Sequence, residues 1–124
     1  MRVYLAGPMR GIPEFNFPAF MKAAYKLRTA GHSVFNPAER DNAAHGTDIS
    51  LGNETGDEKL AEREHGFNLR EALYDDTKYI CLHAEVIACL PGWENSTGAT
   101  AERALGRALG LEIWQLNKNL EVMK

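Results

Sequence analysis

The chain has no surplus of basic charge: 14 lysines and arginines face 17 aspartates and glutamates, for a formal net charge of −3. That balance withholds the electrostatic footprint on which binding to polymeric nucleic acid depends. A single nucleotide stays within reach, because one or two cations suffice for it. Cysteine is scarce, and the two present, Cys81 and Cys89, form no Cys-x-x-Cys pair. Both lie among apolar neighbours and are expected in the core as reduced thiols. No apolar run approaches membrane-spanning length, and Met1-Arg2-Val3-Tyr4-Leu5 leads directly into a turn, without a signal-peptide pattern. A cytoplasmic protein with no membrane partner is the expectation. His32, His45, His65 and His83 have no partner at ligand spacing, so no metal is expected and each histidine reads as a surface or loop residue.

What remains is the composition of one globular domain over 1–124, with 44% hydrophobic and 25% charged residues. Arg2 to Ala6 is β-favouring and stops at Gly7-Pro8. From Asn16, read as an N-cap, apolar residues recur at Phe17, Phe20, Met21, Ala24 and Leu27 until Gly31 closes a helix. Ser33-Val34-Phe35 is a second strand, ended by Asn36-Pro37. The stretch from Ala38 to about Asp57 is polar and rich in Gly, Asn and Asp, which predicts a long loop or lid. Helical pattern resumes near Glu58 or Lys59, is interrupted near Gly66, and is strongest from Asn68 to His83. Val86 to Leu90 is a continuous apolar run bounded by Pro91-Gly92, as in a central parallel strand. A last helix fits Ala99 to Leu109 and a last strand Leu111 to Leu116. The order β-α-β-loop-α-β-α-β predicts a small Rossmann-like or flavodoxin-like α/β fold of three layers. Its mainly parallel sheet has four to five strands, and ligands sit at their carboxyl ends. The turns at Gly7-Pro8 and Pro91-Gly92 then share one rim.

Two carboxylates stand where apolar residues are expected. Asp76 falls in the middle of the stripe Leu69, Ala72, Leu73 and Ile80, and Glu102 at the edge of the stripe Ala101, Leu105, Ala108 and Leu109. Both should face the protein interior. A buried carboxylate must be paired, protonated or functional, and such groups gather at catalytic sites. Two structural alternatives stay open: Asp76 bonded to a backbone amide or to Arg70, and Glu102 complementing the helix dipole.

Tyr4-Leu5-Ala6-Gly7-Pro8-Met9-Arg10-Gly11, taken with the run from Leu90 through Trp93-Glu94-Asn95-Ser96-Thr97-Gly98 to Glu102, resembles the nucleoside 2-deoxyribosyltransferase-like superfamily. The likeness runs from Arg2 to about Leu116 and is narrower to a phage and bacterial branch of unknown function. It implies that Glu102, at the end of Gly98-x-x-x-Glu102, is a nucleophile toward the anomeric carbon of a nucleotide or nucleoside. It also implies that Asp76, rather than its neighbour Asp75, handles the proton of the departing base, and that Tyr4 orients Glu102. Arg10 and Ser96 match phosphate-contacting positions of deoxynucleoside 5′-monophosphate N-hydrolases, so Gly7, Pro8, Met9, Arg10, Gly11, Ser96 and Gly98 are the expected substrate-binding residues. The alternatives are a solvated charge for Arg10 and a simple N-cap for Ser96. Trp93 and Phe15 either stack on a base or fill the core. The chain departs from many relatives in placing Arg103-Ala104 between the nucleophile and Leu105-Gly106-Arg107-Ala108.

The resemblance implies a nucleotide N-hydrolase or deoxyribosyltransferase that needs no cofactor and assembles as a homodimer or larger. Two other classes compete: a module that binds a nucleotide or an ADP-ribose-like ligand without cleaving it, and a partner-binding protein with a decayed site.

Overall fold

A computed structural model describes residues 1–45 and 69–123, with side chains for 1–41 and 69–123. Four strands, β1 Arg2–Ala6, β2 Ser33–Phe35, β3 Val86–Cys89 and β4 Glu112–Gln115, form one parallel sheet in the order β2-β1-β3-β4. The helices are α1 Phe17–Thr29, α2 Pro37–His45, α3 Leu69–Leu82 and α4 Thr97–Ala108. This is the α/β three-layer fold expected from the alternation of elements. Among the described residues no helix is long and apolar enough to cross a membrane.

Strand β1 distributes its side chains by the two-residue period of the pleat. Val3 and Leu5 enter one core with Phe20, Ala23, Ala24 and Leu27 of α1. Tyr4 and Ala6 enter the other, with Ile80 of α3, Ala99 of α4, and Ile87 and Cys89 of β3. Each fully buried large apolar side chain here contributes roughly 1.5–3 kcal/mol. The alternation also has a functional consequence, because Tyr4 is delivered to the α3–α4 face. Ala6 pairs with Cys89, and the amide of Leu90 donates to the Ala6 carbonyl at 2.8 Å. The two turns that follow therefore lie at one rim, where a Cβ on Gly92 would sit 3.6 Å from Pro8 Cγ.

Four sequence expectations are corrected. The polar loop expected from Ala38 is helix α2 as far as His45, while 46–57, the region of Glu58 to Gly66, and His65 lie outside the described residues. Asn36-Pro37 ends β2 but also starts α2: Asn36 Oδ1 accepts from the Ala38 amide at 3.0 Å, and Pro37 takes the first-turn position where its missing N–H costs nothing. Asn16 precedes α1 without capping it, since its backbone is left-handed with φ 61° and its side chain makes no cap bond. Cys89 is buried but Cys81 is exposed, one residue and about 100° of helix beyond the inward-facing Ile80.

The fourth correction concerns α4, whose inward face is Ala99, Glu102 and Gly106. Ala101 and Ala108 are exposed, and so is Leu109. Gly106 is the cause. It lies so close to β3 that an added Cβ would be 2.4 Å from Ile87 Cγ1, so the helix approaches the sheet through its glycine. This rotation brings Glu102 from the edge of the buried face to its centre.

Candidate active site

Beyond the carboxyl ends of β1 and β3 lies a cleft to which four segments contribute. The loop after β1 supplies Gly7, Met9 and Arg10, α2 supplies Asp41, α3 supplies Asp76, and the start of α4 supplies Ser96, Gly98 and Glu102. A sheet whose order turns back at β1 opens a crevice at this place. The first loop can cross here because Gly7 has no side chain: a Cβ would stand 2.7 Å from Leu90 Cδ1. Apolar walls come from Phe15, Phe17, Leu69, Ala72 and Leu73. The cleft has a cavity volume of about 90 Å³.

Tyr4, wholly buried, donates its hydroxyl to Glu102 Oε2 at 2.5 Å. Its ring is stacked on Phe35 at 5.5 Å, which fixes the hydroxyl. Burial, then the charges of Glu102 and Asp76, raise the phenol well above its ordinary range, so it remains a donor. Burial pushes Glu102 up to about 7; the Tyr4 hydrogen bond draws it down and the charge of Asp41 draws it up. Asp76 goes further, to about 8, first through burial and then through the charges of Glu102 and Asp41, against the charge of Arg40 and the nearby Tyr4 hydroxyl. Burial thus favours the protonated form of both carboxyls, while the Tyr4 hydroxyl favours the ionised form of Glu102. Asp76 Oδ1 is buried without a hydrogen-bond partner among the described residues. Among those residues no group of three or more His, Cys, Asp and Glu is placed to hold a metal ion.

Seven of the ten expected site residues line this cleft: Gly7, Met9, Arg10, Asp76, Ser96, Gly98 and Glu102. Tyr4 joins them from beneath. Pro8 lies instead on a second, shallower depression that shares Arg10 and Ser96 with the first and reaches Asn95 and Thr97. Gly11 is exposed and lines neither. Ser96 is also the N-cap of α4, its Oγ accepting from the Ala99 amide at 3.1 Å, so the residue that lines the cleft also caps the helix. Of the two undecided aromatics, Phe15 is buried in the cleft wall, on a left-handed backbone with φ 53°. Trp93 is tied outside it, donating to Gln115 Oε1 at 2.6 Å beneath the Arg103 guanidinium.

A third carboxylate in the cleft, Asp41, was missed by the sequence reading. It is 3% exposed and accepts from Arg40 Nη1 at 2.9 Å, and Arg40 also pairs with Asp75 on α3. Asp75, about 100° around α3 from Asp76, does not line the cleft, whereas Asp76 does. The available signal was Asn36-Pro37 as a helix start, which would have put Asp41 on the same face as the buried Ala38.

Chemically, a glutamate steadied by a phenol beside a second buried carboxyl that burial keeps inclined to hold its proton can serve as a nucleophile and acid pair. No curated protein and no solved structure matches the chain. Residues 1–115 match the family described as Domain of unknown function (DUF4406), and the chain belongs to that family.

Proposed function

We propose that this protein cleaves the N-glycosidic bond of a nucleoside 5′-monophosphate, by hydrolysis or transfer, and that its family is a branch of the nucleoside 2-deoxyribosyltransferase-like superfamily. The observation that carries the reading is that Glu102, held by the Tyr4 hydroxyl, and Asp76 face one cleft from separate helices, both pushed upward by burial. Glu102 attacks the anomeric carbon as the C–N bond breaks, and Asp76 gives its proton to the departing base, which leaves neutral. Water, or an acceptor base, then attacks the same carbon, Asp76 takes up the proton released, and Glu102 departs as carboxylate. Two displacements retain configuration.

The remaining parts fit a nucleotide. The enclosed space takes the sugar, and the shallow depression shared by Arg10 and Ser96 at the start of α4 offers a cation and helix amides to the phosphate. Nothing in the mechanism calls for a cofactor. On the resemblance to that superfamily the enzyme is a homodimer or larger assembly.

The test is release of free base from ribo- and deoxyribonucleoside 5′-monophosphates, compared with the same nucleosides lacking phosphate and with a Glu102→Gln variant. Release that depends on the phosphate and falls at least ~10³-fold in the variant is expected, the scale of losing a group that acts in the transition state. Tight binding with no release in the unaltered protein favours a binding module instead.

A further inference from the structure

Asp41 has no part in the chemistry just described, yet it is a buried carboxylate in the wall of the cleft. Its placement is built: Arg40 bonds Asp41 on its own helix and pairs with Asp75 on α3, which ties α2 to the turn of α3 that carries Asp76. Asp76 supplies the second observation. It is 7% exposed, and its buried Oδ1 has no hydrogen-bond partner among the described residues. An unpaired buried oxygen of this kind costs about 1–3 kcal/mol, a cost that a ligand atom bonded to it removes.

Topology says which part of a ligand meets Asp41. In the order β2-β1-β3-β4, α2 follows β2 on one side of β1, whereas Ser96 and the start of α4 follow β3 on the other. The anion-holding end of the cleft and the Asp41 end therefore lie across β1 from one another. At the Asp41 end Arg40 is already engaged by Asp41 and Asp75 rather than turned to an anion, and the apolar walls Phe15 and Phe17 are suited to a flat ring. With the sugar over Glu102 between them, the base occupies the Asp41 end.

Resting on the N-glycosidase reading above, we propose that Asp41 and Asp76 read the base as an acceptor and donor pair. The substrate is then a nucleotide whose base carries an amino group beside an unprotonated ring nitrogen, namely cytosine or adenine. Asp76 gives its hydrogen to the ring nitrogen, and Asp41 accepts an N–H from the adjoining amino group. Uracil, thymine and hypoxanthine present a carbonyl oxygen where the amino group stands. An oxygen facing the Asp41 carboxylate loses the hydrogen bond and meets its charge.

The test compares kcat/KM for base release from CMP against UMP and from AMP against IMP, each in ribo and 2′-deoxy forms, for the unaltered protein and for Asp41→Asn. Equilibrium binding of the same nucleotides to Glu102→Gln protein is measured alongside. An amino-over-oxo preference of at least ~100-fold is expected, the scale seen when a site built to bond a polar group meets an analogue without it. Asp41→Asn, whose amide can donate to an oxo group, should bring the ratio below ~10 or invert it, since a site that no longer presents an acceptor no longer selects for a donor. A purely structural Asp41 would slow both substrates equally and leave the ratio intact, which overturns the proposal. So does an oxo-bearing nucleotide processed within ~3-fold of its amino partner, a difference smaller than a single hydrogen bond is worth. If no base is released from any nucleotide but Glu102→Gln protein still prefers the amino forms, recognition stands and the glycosidase reading falls. Absence of both release and preferential binding overturns the two together.

Discussion

Tyr4 and Glu102 stand 98 positions apart in the chain and meet at 2.5 Å, the phenol donating to the carboxylate in a buried setting. Tyr4→Phe keeps the ring that stacks on Phe35 and removes only the donor. Because that bond holds Glu102 lower than burial alone would, its loss raises Glu102 further. The acid limb of the pH–rate profile should move to higher pH, and kcat at pH 7 should fall about 10–100-fold, the equivalent of one hydrogen bond to a charged group. A profile that does not move would show that Tyr4 serves packing alone.

The rate should be bell-shaped in pH, because the first step needs Glu102 ionised and Asp76 protonated. With these groups at about 7 and about 8, the maximum should fall between those values, and activity should decline on both sides. A plateau extending to pH 9 would contradict the role given to Asp76.

Stability should carry the opposite imprint to that of a salt-bridged acid. Asp76 is raised from 3.8 to about 8 on folding, so between these values the folded protein holds a proton that the unfolded chain has released. Its contribution is present in full at low pH and is lost as pH rises through about 8. Asp76→Asn should therefore gain stability relative to the unaltered protein as pH rises from 5 to 9, by on the order of a few kcal/mol. Urea denaturation of both proteins across that range measures the difference, and a constant offset would contradict it.

Gly106→Ala should displace α4 and with it Glu102. The new Cβ would stand 2.4 Å from Ile87 Cγ1, and overpacking of this kind costs about 1–3 kcal/mol. Activity should fall with stability, and Ile87→Ala in the same chain, itself a loss of about 2–5 kcal/mol, should restore part of the activity and make the pair cost less than the two changes summed, by removing the opposing atom. Failure of the second substitution to rescue the first would mean that the close approach does not set the position of the helix.

The parts of the site that were legible in the sequence are those where a local pattern conflicts with its own chemistry. Asp76 is inside a stripe otherwise made of Leu69, Ala72, Leu73 and Ile80, and the conflict is visible without coordinates because helical periodicity alone fixes the face. Glu102 was legible only as an edge residue, since apolar count favoured the face of Leu105 and Leu109. The actual face is chosen by Gly106, through an absence of side chain that hydrophobicity does not weigh. Asp41 was hidden because α2 is polar along most of its length and its start signal, Asn36-Pro37, also serves as a strand stop. Arg40 and Asp75 meet across two helices, and no periodicity within either one encodes that pairing. The order of the strands was likewise unreadable, although β1 and β3 were recognisable as the buried pair from their apolar runs.

The most direct measurement is the mass of the protein quenched in acid within milliseconds of mixing with a nucleotide it turns over. The expected result is a covalent sugar 5-phosphate adduct on the peptide that contains Glu102, formed as base appears and absent from the Glu102→Gln protein. Base release at an undiminished rate from Glu102→Gln, with no adduct on the unaltered chain, would contradict the assignment of Glu102 as nucleophile.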